Sequence, residues 1–140
     1  MSNAAGAPAF IVDASVSAAW ILPDEATEQT EAMLRATATH EVWVPALWLL
    51  EMGNLLLTAQ RRKRITADKR RELAAAAAGL RIKVDREPVA ITALDGIAAI
   101  HGLTAYDAAY LELALRRRLP LATLDGALAS AMVKAGVAAA

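Results

Sequence analysis

The chain has 140 residues, the length of one domain, with 15 basic and 15 acidic residues that cancel and no cysteine. The missing cysteines exclude a disulfide scaffold, thiolate zinc and a cysteine nucleophile, and they fit a reducing, cytoplasmic setting. The balanced charge excludes a strong global pull toward nucleic acid or membrane, so any nucleic-acid surface has to be local.

Taken in chain order, residues 1–8 read as a flexible start, with Met1–Ala4 in part a vector remnant. No basic stretch followed by an apolar core opens the chain, so no signal peptide is expected. The run 9–12 is continuously apolar and predicts a buried strand. Residues 15–22 are apolar at helical spacing and stop at Pro23. A helix over 25–38 sets Glu28, Glu31 and Arg35 against Ala32, Met33 and Ala36. A second strand is predicted at 42–44, followed by an apolar helix over 46–62 that ends in Arg61–Arg64, basic residues suited to a helix C-terminus. Thr66 caps a helix running to Ala78, and Gly79 stops it. Strand 82–84, helices 89–100 and 105–118, strand 119–123 and helix 126–135 complete the series. Gly102 separates the two middle helices and Gly136 closes the last. Residues 137–140 are a weak candidate for an edge strand, because alanine is a poor strand former.

Strands that alternate with helices and carry no polar alternation predict a parallel sheet covered on both faces, in one α/β domain over residues 1–140. The most apolar stretch, 42–57, is interrupted by Pro45, Glu51 and Asn54 and is too short to span a membrane.

In such a sheet ligands bind beyond the carboxyl ends of the strands. Asp13 directly follows Phe10-Ile11-Val12, and Asp125 directly follows Leu121-Ala122-Thr123-Leu124, so both carboxylates emerge at one sheet edge. Each also fits the simpler role of helix N-cap. Glu51 stands among Trp48, Leu50, Met52 and Leu55, at the border of a buried stripe where an unpaired acid is rarely tolerated. Asp107 follows Thr104 by three residues, a variant capping box that needs no further function. Together the four acids can converge on one cavity to which no cysteine or histidine contributes. His40 and His101 are far apart and in no metal-ligand spacing. Oxygen-only donors select a hard cation, Mg²⁺ or Mn²⁺, over zinc, and a cation would relieve the mutual repulsion of the carboxylates.

Phe10-Ile11-Val12-Asp13-Ala14-Ser15 resembles the opening motif of PIN domains, and Glu51 with Asn54 resembles their second. Leu103-Thr104-Ala105-Tyr106-Asp107-Ala108-Ala109-Tyr110-Leu111 and Leu121-Ala122-Thr123-Leu124-Asp125 are similar to the third and fourth. Order and spacing resemble VapC-type toxins of toxin–antitoxin pairs, over about residues 10–137. The resemblance implies a three-layer α/β/α sandwich with a central, mainly parallel sheet of four to five strands, and Mg²⁺- or Mn²⁺-dependent endoribonuclease activity. By motif, Asp13, Glu51, Asp107 and Asp125 become the metal-binding and catalytic acids. Ser15 and Thr123 become supporting hydroxyls beside them, and Asn54 is placed to orient Glu51. With no Ser–His or Cys–His pair available, water activated by the metal is the expected nucleophile. The implied partners are RNA, a cognate antitoxin and a second copy in a homodimer.

The basic runs 61–64, 69–71 and 116–118 offer an RNA-backbone track, although such runs are more often solvated helix ends. Trp20, Trp43 and Trp48 lie at apolar spacing and read as core ahead of base-stacking platforms. A partner peptide is expected in an apolar groove around helices 25–38 and 46–57. A dehalogenase-type phosphatase needs a second Asp where Ser15 stands. A receiver domain needs an acidic pair beside Asp13, although Asp85 imitates its phosphoacceptor. Within the PIN resemblance itself, a housekeeping RNA-processing nuclease and a catalytically silent module that binds RNA or protein compete with the toxin.

Overall fold

Strand β1 (Ala9–Val12) occupies the interior of the sheet because nothing in Phe10-Ile11-Val12 asks for water, and all three residues are buried. It pairs in parallel with β2 (Glu41–Pro45) through Phe10↔Val42 and Ile11↔Trp43. On its other side it pairs in parallel with β4 (Leu121–Ala122) through Ile11↔Leu121 and Val12↔Ala122. The sheet is completed by β3 (Ile82–Asp85), parallel to β2, in the order β3-β2-β1-β4. The computed structural model describes residues 8–140, so the expectation of a flexible, partly vector-derived start lies, apart from Pro8, outside the described residues. Pro8, just ahead of β1, is tied to β2 through its carbonyl, which accepts a hydrogen bond from Glu41 N at 2.8 Å.

Among the described residues seven α-helices cover this sheet: α1 (Ala14–Ile21), α2 (Glu28–Ala36), α3 (Leu47–Arg61), α4 (Ala67–Ala78), α5 (Ile91–His101), α6 (Ala105–Arg117) and α7 (Gly126–Ala135). Helix α1 packs against α2, α3 and α4 in one layer, while α6 packs against α5 and α7 in another and against β1, β2 and β4 directly. The result is the three-layer α/β/α arrangement around four parallel strands. Its core joins Ile11, Val12, Val42, Val44 and Leu121 of the sheet to Leu111 and Leu113 of α6 and Leu128 of α7. No helix among the described residues is long and apolar enough to cross a membrane.

Three boundaries differ from expectation for identifiable reasons. Helix α2 starts at Glu28 and not at residue 25, because Thr27 and Thr30 form a reciprocal capping box and Pro23–Glu25 makes a separate 3₁₀ turn. Strand β4 is two residues long where five were predicted. Pro120 has no N–H to give, and Thr123 has left the ladder to serve the site described below. Residues 138–140 do run beside β4 despite their alanines. Leu121 N donates to Ala138 O at 3.0 Å, Ala140 N donates to Leu121 O at 3.2 Å, and Leu121 and Ala139 form a parallel bridge.

Candidate active site

The chain moves outward from β1 through β2 to β3, then crosses back to place β4 on the opposite flank of β1. A crevice therefore opens beyond the carboxyl ends of β1 and β4, the switch point at which parallel α/β sheets hold their ligands. Asp13 stands at that point as the N-cap of α1, and its Oδ1 accepts from Val16 N at 3.1 Å. Capping does not exhaust it. Ser15 Oγ donates to the same Oδ1 at 2.6 Å, and Thr123 Oγ1 donates to Oδ2 across the crevice. Both hydroxyls also accept from the β4 side: Leu124 N binds Ser15 Oγ and Asp125 N binds Thr123 Oγ1, each at 2.9 Å. Together with Asp13 N to Ala122 O at 3.1 Å, these bonds make the crevice a cross-linked seam. Asp125 is likewise an N-cap, accepting from Leu128 N at 2.9 Å.

Glu51 comes from the first half of α3 and Asp107 from the first turn of α6. Thr104 Oγ1 accepts from Asp107 N at 3.1 Å, but the reciprocal half of the predicted capping box does not form. Burial raises the Glu51 carboxyl above its ordinary value, and the charges of Asp107 and Asp13 push it further against an opposing hydrogen bond from Tyr110. Burial also raises Asp107, with Asp125 and Asp13 adding to it and Thr104 opposing. The four acids therefore share one electrostatic neighbourhood, and among the described residues none of them makes an ion pair with a basic side chain.

By charge and donor type this set fits a hard divalent cation. By position the acids stand around the crevice, since among the described residues no three Asp, Glu or His side chains are close enough to hold one ion as they lie.

Asn54 makes no hydrogen bond to Glu51, although both line one cavity. It is exposed one helical turn further on, and the Glu51 oxygen that bonds is held by another residue: Tyr110 donates from its hydroxyl to Glu51 Oε1 at 2.6 Å. Tyr110 entered the sequence reading as part of the third motif, with no role of its own, but a buried tyrosine hydroxyl needs a partner, and one helical turn before it stands Asp107. A second unforeseen tie runs from Trp48 Nε1 to Ser17 Oγ at 2.9 Å and from Ser17 Oγ to Asp13 O at 2.8 Å. It locks α3 onto the start of α1.

A cavity of ≈ 600 Å³ runs from Glu51 along α3, lined among others by Leu47, Leu50, Leu55, Arg62 and Tyr106. Helix α2 contributes nothing to its lining, which comes chiefly from α3, with Ala14 of α1 and Tyr106 of α6.

The remaining candidates are structural. Asp85, the phosphoacceptor mimic, is buried and clamped by Arg116 Nη2 at 2.7 Å and Arg117 Nη2 at 2.9 Å, which hold its carboxyl below the usual range. Arg117 also stacks on Trp43 at 3.7 Å, and Trp48 is core. Arg64 pairs with Asp24 and Glu25, Lys69 with Glu72, and Arg71 with Asp68, so much of the basic surface is internally matched.

A parallel α/β sandwich with acids around its switch point defines a carboxylate-site α/β protein. The chain belongs to the PIN domain family, whose model matches residues 10–132. PIN domains are in general metal-dependent nucleases, and at that level of description the chain is a nuclease-type domain. The crystal structure of PAE2754 from Pyrobaculum aerophilum is similar over 90% of this chain and 87% of that one, with a TM-score of 0.70 and 24% identity, a likeness of fold. No curated protein matches the chain.

Proposed function

We propose that this chain is a Mg²⁺- or Mn²⁺-dependent endoribonuclease acting in the cytoplasm, and that it is the toxin of a type II toxin–antitoxin pair. The observation that carries the nuclease reading is the group of four acids, Asp13, Glu51, Asp107 and Asp125: burial and the charges of their acidic neighbours raise the Glu51 and Asp107 carboxyls, and none of the four pairs with a basic side chain among the described residues. Such a group works against stability, and its natural complement is a cation. Those four residues would hold it. A bound Mg²⁺ or Mn²⁺ would contribute charge neutralisation at the phosphodiester and a lowered pKa for the attacking water.

The chain's own residues do the rest. Ser15 and Thr123 hold both oxygens of Asp13, and Trp48 through Ser17 fixes how α3 sits beside them. The largely apolar cavity that Glu51 helps to line supports an antitoxin segment as partner, one of whose basic side chains would enter among the acids. Ile91 and Ile100, exposed on α5, support a homodimer contact.

RNA cleavage in Mg²⁺ or Mn²⁺ by the unmodified protein and by Asp13→Asn tests the enzyme. Losing an outer-sphere partner of a metal typically costs ~10–100-fold, so losing a ligand should reduce cleavage at least ~100-fold. A folded Asp13→Asn protein that still cleaves would overturn the reading. Growth arrest on expression, relieved by the product of a small adjacent reading frame, separates a toxin from a housekeeping nuclease.

A further inference from the structure

We propose that Tyr110 is a positioning residue for Glu51: its hydroxyl fixes one carboxylate oxygen and leaves the other turned to the crevice. The proposal rests on Glu51 being one of the acids that hold the cation. Glu51 has a long side chain, and its cavity neighbours Leu47, Leu50 and Leu55 offer it no hydrogen bond. Its bond to Tyr110 is short, 2.6 Å, and engages Oε1; Oε2 has no hydrogen-bond partner among the described residues. The donor is as immobile as the fold allows, because Tyr110 is 1% exposed and α6 rests on β1, β2 and β4. One helix thus supplies Asp107 directly and, a turn later, aims an acid that belongs to α3. A hydrogen bond from the surroundings to a ligating carboxylate orients the ligand and tunes its affinity for the metal.

Mn²⁺ binding to the full chain, followed by electron paramagnetic resonance or calorimetry, tests this with the unmodified protein, Tyr110→Phe, Glu51→Gln and the double variant. Tyr110→Phe is expected to bind Mn²⁺ about 10–100-fold more weakly. In the Glu51→Gln background the same change is expected to alter affinity less than about twofold, because the effect passes through Glu51. Unmodified protein that binds with Tyr110→Phe binding equally well would overturn this assignment alone. Unmodified protein that binds no Mn²⁺ would overturn the metal reading and the assignment with it. A measurement that leaves Tyr110 in place guards against misfolding of the Phe variant. In Tyr106→Phe, where Tyr110 is the one remaining tyrosine, the tyrosine hydrogen-bonding bands in ultraviolet resonance Raman spectra should shift on adding Mg²⁺. Unchanged bands at a concentration that saturates binding would refute the coupling.

Discussion

Glu51→Gln should make the metal-free protein more stable. The amide oxygen of Gln can still accept the Tyr110 hydrogen bond, while the burial cost of the charge and its repulsion by Asp107 and Asp13 disappear. Glu51 is half-buried, so solvent screens a good part of that repulsion, and the expected gain is about 1 kcal/mol at pH 7, or about 4 °C in Tm. The pH dependence follows from the direction of the shift. A carboxyl whose folded value lies above the unfolded one favours the fold at low pH, and that contribution is lost as pH rises through the folded value. The gap between variant and unmodified protein should therefore be small near pH 4 and widen toward pH 7. Divalent metal should invert the order: at one hundred times its dissociation constant the unmodified protein gains ~2.7 kcal/mol, whereas a variant binding a hundredfold more weakly gains ~0.4 kcal/mol. Urea unfolding in EDTA at pH 4–7, then with Mn²⁺, reads all of this. A Glu51→Gln protein no more stable than the unmodified one at pH 7 in EDTA, or a gap independent of pH, would refute the reasoning.

Asp85→Ala should cost about 2–3 kcal/mol in urea unfolding at pH 7, toward the low end for breaking a buried ion pair, because Arg116 keeps Glu112 and Glu87 and Arg117 keeps Trp43. Since the Arg116 contact holds the Asp85 carboxyl below its ordinary value, the loss should persist as pH falls from 7 to 4 and fade only below about 3.8. Gly136→Ala should lower stability by about 1 kcal/mol, measured as a Tm fall of about 4 °C. Gly136 ends α7 at φ 78°, yet an added Cβ would meet nothing within 4 Å, so the cost is one of backbone conformation.

The central sheet was legible because its strands are short, continuously apolar and separated by helices with plain stop signals such as Gly102 and Gly136. Both of these adopt the left-handed C-cap conformation. The third predicted stop, Gly79, ends α4 without it, at φ −84°. Strand β4 was overestimated because its apolar residues look like a ladder, whereas Thr123 is recruited sideways to Asp13 by a contact that no local pattern encodes. At the crevice, acids at strand ends could be read from position alone. The partners that hold them could not, because Tyr110 lies 59 residues from Glu51 and Trp48 lies 31 from Ser17, and each looked like ordinary packing. Asn54 lies one turn along α3 and lines the same cavity as Glu51, yet closeness along a helix did not make it a hydrogen-bond partner.

The seam between β1 and β4 also sets an order of assembly. Thr123 and Asp13 are separated by 110 positions, so the Asp13 carboxylate waits for everything between them before both its oxygens are held. As a ribosome releases the chain, β1, β2 and β3 can pair among themselves, but the crevice is finished only when the strand at Leu121–Ala122 docks against the flank of β1. A nascent or truncated chain ending before that strand has Asp13, Glu51 and Asp107 but neither Asp125 nor the closed seam around them. Whatever chemistry the acids perform is thereby withheld until that strand has been made and docked.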